Sequence, residues 1–214
     1  MTGNGHPGLG DRLRRERAER GLSLRELARR LDVSPSLVSQ IETGKIQPSV
    51  RTLYAMVSEL GVSLDDVFHA DTEGANAEPA VRVTRRGGSG SAAGDPEAAE
   101  NAGHVQRADA RLVIDLESGV HWERLTARTE PGVEFLMTVY PSGSESGPAD
   151  GLVRHTGREF GLVLKGTLGL TVGFDEYTLE VGDSVCFDST VPHRLHNDGN
   201  ETVEAVWVVL GGQP

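Results

Sequence analysis

The chain has 214 residues, 25% of them charged, and a formal net charge of −11, which leaves room for two domains with a core each and excludes strong sequence-independent attraction to nucleic acid. The single Cys186 excludes an internal disulfide, and no stretch approaches the ~20 apolar residues of a membrane span. The opening MTGNGHPGLG lacks the apolar core of a signal peptide, so the expected compartment is the cytoplasm, with no membrane partner.

Residues 1–70 hold ten Lys or Arg against nine Asp or Glu, whereas residues 71–214 hold eleven against twenty-three. The first helix is expected over Leu9 to Arg20, where the apolar pattern is periodic and stops at Gly21. Ser23 and Glu26 then have the S-x-x-E spacing of a capping box, each side chain satisfying an amide at the helix start, so a second helix begins near Leu24. Leu24, Leu27, Ala28 and Leu31 share one face of it, and Ala28 is small where two helices must approach. Asp32 stands in the following turn, where Asp tolerates positive φ cheaply. Ser34 caps a third helix with Pro35 at its first position, and Leu37, Val38 and Ile41 point inward from it. That leaves Ser36, Ser39, Gln40 and Thr43 outward, short polar groups suited to base edges and phosphate oxygens. Helices over Ser49 to Leu60, closed by Gly61, and over Ser63 to Phe68 bring the number to five.

Two short helices around a three-residue turn, SLRELARRLDVSPSLVSQIE, are the arrangement by which a chain places one helix in the DNA major groove. The whole run from Gly21 to Phe68 resembles the helix-turn-helix domain of the Cro/C1 or XRE family of repressors, over about residues 9–70. The resemblance implies that the third helix reads the groove and that Arg25, Lys45 and Arg51 contact backbone phosphate. With Ser34, Ser36, Ser39, Gln40 and Thr43 they make up the expected DNA-binding set. An acidic chain gains operator affinity by pairing two such domains, so a homodimer is expected, built through exposed edge strands of the second domain.

Residues 71–110 are rich in Ala, Gly, Glu, Asp and Ser and cannot bury enough apolar surface to order themselves, which makes them a flexible linker. The alternation in AVRVT, residues 80–84, interrupts it with an expected edge strand. From Arg111 the period changes to two. EFLMTVY, GLVLKG, TLGLTVGF, SVCFDS and VEAVWVVL are short, β-rich and separated by turn residues, with reversals expected at Gly173 to Glu176 and a tight hairpin at Asp198-Gly199. Strands of this kind make either a sandwich or a jelly roll.

HTGREFGLVLKG, with its H-x3-E-x6-G spacing, and LEVGDSVCFDSTVPHRLHN, with GD followed by PH-x3-N, resemble the two motifs of the cupin fold. The fold class implied is multidomain: an all-α five-helix helix-turn-helix domain followed by an all-β cupin (jelly-roll) barrel over residues 111–212. In metal-binding cupins two His and one Glu of the first motif join one His of the second. Here those positions hold His155, Glu159 and His193, while the remaining His position is Val153. Three ligands of this type also complete a non-haem iron site, and they suit Zn, Mn or Ni equally. The alternative is a pocket for an organic effector, lined by Tyr140, His155, Glu159 and His193. His196, an odd offset from His193, is expected on the opposite strand face. Trp122, Phe135, Tyr140 and Trp207 either wall the site or fill the core, and Arg154, Arg158 and Arg194 either clamp an anion or lie solvated. Cys186 is expected to be a buried, inert thiol.

The domain order resembles a large group of bacterial regulators. It implies a sequence-specific DNA-binding transcriptional regulator, not an enzyme, whose partners are a double-stranded DNA operator and a metal or small-molecule effector that modulates operator affinity. The same order, and the same His155, Glu159, His193 set, also resembles the mononuclear iron epoxidases that act on hydroxypropylphosphonate. Against that, the outward face of the third helix keeps Ser, Ser, Gln and Thr beside an intact capping box and turn, which a helical domain without a DNA partner need not retain.

Overall fold

The computed structural model describes residues 9–62, 64, 104–147 and 151–211, and the backbone of 83–85. Four α-helices come first: α1 (Leu9–Glu19), α2 (Leu24–Arg30), α3 (Pro35–Glu42) and α4 (Val50–Leu60). The described residues thus contain four helices rather than five. The fifth, expected over 63–68, falls outside them apart from Leu64, which is helical and buried.

The local chemistry of the helical domain follows its sequence. The Ser23, Ser34 and Ser49 hydroxyls accept from Glu26, Leu37 and Thr52 N–H, all at 3.1 Å, and Asp32 adopts φ +54° in the α2–α3 turn. Gly61 closes α4 in the left-handed region. The capping box is only half made, because the Glu26 carboxylate turns to Arg29 at 2.7 Å and Arg30 at 2.9 Å, where charge-assisted bonds outcompete a backbone amide. Two features lock α3 against α1. Gly10 lies so close to the end of α3 that a Cβ there would sit 2.5 Å from the Ile41 carbonyl oxygen. The Arg17 guanidinium grips the Glu42 carboxylate bidentately, at 2.6 and 2.7 Å, and also donates to the Leu22 carbonyl.

The rest is a two-sheet jelly roll. After a 3-10 turn at Ala108–Ala110, its strands are β2 (Leu112–Asp115), β3 (His121–Arg124), β4 (Val133–Tyr140), β5 (Arg158–Lys165), β6 (Leu168–Val172), β7 (Asp175–Leu179), β8 (Ser184–Asp188), β9 (His193–His196) and β10 (Val203–Leu210). Together with β1 (Val83–Arg85) they form a seven-stranded antiparallel sheet, β1-β2-β3-β4-β10-β5-β8, facing a three-stranded sheet, β7-β6-β9. The edge strand expected at 80–84 forms at 83–85 and does lie at the sheet edge, and the rest of the expected linker up to residue 103 lies outside the described residues. Alternation sets the core. In β10, Val203, Ala205, Trp207 and Val209 are buried while the residues between them are not.

The reversal at Gly173 is a hairpin between β6 and β7. Asp198-Gly199 is not one. There the chain crosses between sheets, since β9 pairs with β6 whereas β10 pairs with β4 and β5. Buried Asn197 stabilises the crossing, donating to the Tyr140 and Glu201 carbonyls at 2.8 Å and accepting from Gly199 N–H.

Glu42 is 3% exposed. Glu42→Ala therefore leaves an arginine without its buried partner and is expected to cost about 3 kcal/mol in denaturant unfolding, whereas replacing both partners by Met is expected to cost less.

Candidate functional site

Most of the residues expected to meet DNA are accessible. Arg25, Ser34, Ser36, Gln40, Thr43 and Lys45 are exposed, and Ser39 is half-buried. The Ser34 oxygen already caps α3, and the Thr43 hydroxyl donates to the Ser39 carbonyl at 2.7 Å, so each offers only its remaining capacity. Arg51 is different. Its N–H donates to the Ser146 carbonyl at 3.1 Å, and Gly147 packs against its side chain, which puts it at the junction with the barrel.

Inside the barrel, three positions converge. Glu159 comes from β5, His193 from the start of β9 and His155 from the segment leading into β5, whose neighbour Val153 bridges His193 with N–H···O bonds of 2.7 and 2.8 Å. All three side chains are almost fully buried. Both imidazole Nε2 atoms stand 3.0 Å from the same Glu159 oxygen, Oε1. The ring orientation is fixed from behind: the His155 Nδ1 faces the Thr156 carbonyl at 3.1 Å and the His193 Nδ1 faces the Val191 carbonyl at 2.9 Å, so each Nδ1 carries the proton and donates. The other carboxylate oxygen, Oε2, accepts from the Trp207 indole N–H at 2.6 Å. Gly161 makes room for that indole, because a Cβ there would sit 2.1 Å from the Trp207 ring.

With both Nδ1 protons spent on carbonyls, two Nε2 lone pairs and one carboxylate oxygen face each other. The buried His155 Nε2 and Glu159 Oε1 have no hydrogen bond. With no metal in place a proton can serve instead: burial acts to raise the Glu159 pKa, but hydrogen bonds from protonated His155 and His193 outweigh it and hold the carboxyl well below its ordinary range. Burial likewise opposes protonation of His193, and the Glu159 carboxylate raises its pKa despite that. The three groups share a positive charge, either as a proton on Nε2 or as a metal ion held between them. Two imidazoles tied through Nδ1–H to backbone carbonyls, plus one oriented carboxylate, are the donor set that suits a divalent transition metal, and the residues therefore fit one.

Around these groups lies a small cavity whose walls include Trp122, Tyr140, Val153 and Trp207. Phe135 is not among them. It is 36% exposed on the outer face of the sheet. His196 is turned away, against Gly169 and Asp198, as its offset implied. The arginines form no clamp: Arg194 pairs with Glu145, Arg158 reaches the Cys186 sulfur at 3.3 Å, and Arg154 is exposed. Cys186 is exposed too, contrary to expectation, because alternation along β8 turns Phe187 inward and Cys186 out.

Tyr54 was not anticipated in sequence. It comes from α4, yet its ring stacks on His155 at 4.1 Å between centroids and 8° between planes, and its hydroxyl donates to Glu134 at 2.8 Å. The available signal was an excess of apolar residues on α4, where Val50 and Tyr54 form a second stripe beside Leu53, Met56, Val57 and Leu60.

The Helix-turn-helix family matches residues 13–67 and the Cupin domain family residues 135–209. The HTH-type transcriptional regulator PuuR of Escherichia coli (strain K12) is 25% identical over 190 residues, covering 88% of this chain and 86% of its own. The chain belongs to the helix-turn-helix transcriptional regulators that carry a cupin domain. Its fold is shared with an HTH_3 family transcriptional regulator from Vibrio cholerae, 19% identical with a TM-score of 0.61 over 96% of each chain. The hydroxypropylphosphonic acid epoxidase from S. wedmorenis superposes over 98% of this chain and 100% of its own, at 19% identity and a TM-score of 0.42, a likeness too loose to carry argument.

In this regulator the Trp207 indole is the group that aims Glu159. Trp207→Phe keeps the bulk and removes the donor, so the fold is expected to persist while affinity for divalent metal, read by calorimetry, falls by about 10–100-fold.

Proposed function

We propose that this regulator reads its operator through the outward face of α3, with Ser36, Ser39, Gln40 and Thr43 toward the bases and Ser34, Arg25 and Lys45 toward phosphates, Arg51 serving the junction with the barrel instead. The observation that carries the reading is the exposure of Ser36, Gln40 and Thr43 on a helix whose other side is pinned by the Arg17–Glu42 pair. The domain limits proposed are 9–70 for DNA binding and 111–212 for the sensor. The barrel is a cytoplasmic sensor rather than an active centre.

In the sensor, His155 and His193 through Nε2 and Glu159 through Oε1 hold one divalent ion, which supplies a Lewis-acid centre where an effector binds. Tyr140 and Trp122 wall the space beside it. Metal content of desalted protein, grown with added metals and measured by mass spectrometry, tests this part. One equivalent per chain that is lost in Glu159→Gln supports it, and no stoichiometric metal defeats it.

Two copies present two reading helices to half-sites about one helical turn, ~34 Å, apart. Their contact is the outer face of the large sheet rather than its edges. Phe160, Leu162 and Leu164 on β5 are 38%, 40% and 44% exposed in one row, flanked by exposed Phe135 and Cys186. A row of large apolar side chains left to solvent marks an association surface. Leu162→Glu is expected to yield a monomer by light scattering and to weaken operator binding.

Selection of duplexes from a random library by the purified protein tests the reading as a whole, and failure to enrich any sequence sinks it. On an enriched duplex, Gln40→Ala is expected to cost about 1–3 kcal/mol and relax preference at one position, whereas Arg25→Ala weakens all duplexes alike and lowers the salt slope by about 1.

A further inference from the structure

Helix α4 belongs to two cores at once. Leu53, Met56, Val57 and Leu60 pack within the helical domain, whereas Val50 and Tyr54, one turn apart, line the cavity that holds Glu159 and His193. We propose that the sensor site is shared between the domains: Val50 and Tyr54 form its roof, and Tyr54 is the positioning residue that ties the state of His155 to the placement of the DNA-reading helices. The inference rests on the reading of the barrel as an effector site and names how that site reaches DNA.

Three contacts hold the Tyr54 ring. It lies flat on the His155 imidazole at 4.1 Å, its hydroxyl donates to buried Glu134 at 2.8 Å, and Trp122 sits 5.5 Å away, tilted by 57°. Two backbone bonds clamp the same end of the helix: Glu117 N–H to the Pro48 carbonyl at 3.0 Å and Arg51 N–H to the Ser146 carbonyl at 3.1 Å. A group that turns the His155 ring, or takes space above it, must displace Tyr54 or be excluded by it. Tyr54 cannot yield alone, since α4 is a hydrogen-bonded rod whose other face is packed. Its movement passes to the helical core, where α1 holds α3 through Gly10 and the Arg17–Glu42 pair. A contact of this kind is reciprocal, so operator binding must alter the site by the same coupling free energy.

The test uses the full chain, its Tyr54→Leu and Tyr54→Phe variants, Zn²⁺ as probe and a duplex enriched by the wild type. Zinc affinity is read by calorimetry and duplex affinity by fluorescence anisotropy with and without saturating zinc. Diethylpyrocarbonate labelling of His155, located by mass mapping, is read with and without duplex. In the wild type, zinc is expected to shift duplex affinity by at least ~5-fold, and duplex to change His155 labelling. Tyr54→Leu, which fills space without the stacked ring, is expected to lose the cross effect, read as the ratio of duplex affinities with and without saturating zinc, whatever its own zinc affinity. Tyr54→Phe, which keeps the stack, retains it. A cross effect of wild-type size in Tyr54→Leu overturns the proposal, as does a wild type that binds both partners with neither altering the other. If the wild type takes up no zinc, the ligand assignment under the proposed function fails by itself. The wild-type labelling arm then decides, needing no variant to fold: His155 reactivity indifferent to duplex overturns the inference.

Discussion

A helix with two apolar faces has to bury both, and α4 can do so only by standing between the helical core and the barrel. Burial of Leu53, Met56, Val57 and Leu60 on one side and of Val50 and Tyr54 on the other removes a fixed set of side chains from water, at roughly 25 cal/mol per Å² of apolar surface. The juxtaposition of reading head and sensor follows from that. Were Tyr54 a Lys or Glu, α4 would still complete the helical core, but Val50 and the Glu117–Pro48 and Arg51–Ser146 backbone bonds would be left to hold it against the barrel.

The parts legible in sequence were those fixed by local chemistry. Serine caps, Pro35 at a helix start and a tolerant Asp32 depend on backbone geometry within a turn, and each is found where its residue type demanded. The cupin triad was legible because two short motifs carry it. What was not legible depends on pairs distant in the chain. Arg17 and Glu42 are 25 residues apart, and Tyr54 and Glu134 are 80 apart, so no window of sequence contains both partners. Asp198-Gly199 has strong hairpin chemistry, yet the strands it joins pair elsewhere, because sheet partners are set by tertiary packing rather than by the turn. Cys186 was misread for a simpler reason. One step of phase in a strand exchanges inside for outside, and Phe187 took the inside.

The chemistry of the barrel site turns on protons that are already committed. A neutral imidazole has one N–H, and in both His155 and His193 it is directed at a backbone carbonyl. Nothing is left to donate to Glu159, whose far oxygen already accepts from Trp207. With both rings neutral the three acceptors repel one another, and burial magnifies that repulsion until a proton or a metal ion is shared among them. Val153 in the position of a fourth ligand matters here, because an aliphatic side chain adds no charge and leaves one side of the cluster open to the cavity. The site is therefore one ligand short by construction.

Charge decides how much of DNA recognition such a chain must leave to short-range contacts. Residues 1–70 are nearly balanced and residues 71–214 carry a large excess of Asp and Glu. Glu26 further neutralises Arg29 and Arg30, while Glu42 takes Arg17. Few cations remain for phosphate, so counterion release, the main source of non-specific affinity, is small. Salt acts on both sides of this balance, weakening the contacts proposed for Arg25 and Lys45 and also screening the acidic barrel from the duplex within a Debye length of about 8 Å at physiological strength. In the proposed reading, discrimination then comes from base-edge contacts on α3 and from holding two such helices at one spacing. A rigid junction at α4 therefore bears on specificity more than on bare affinity: it sets where the reading helix stands, and a protein short of non-specific attraction has little else with which to tolerate an error in that placement.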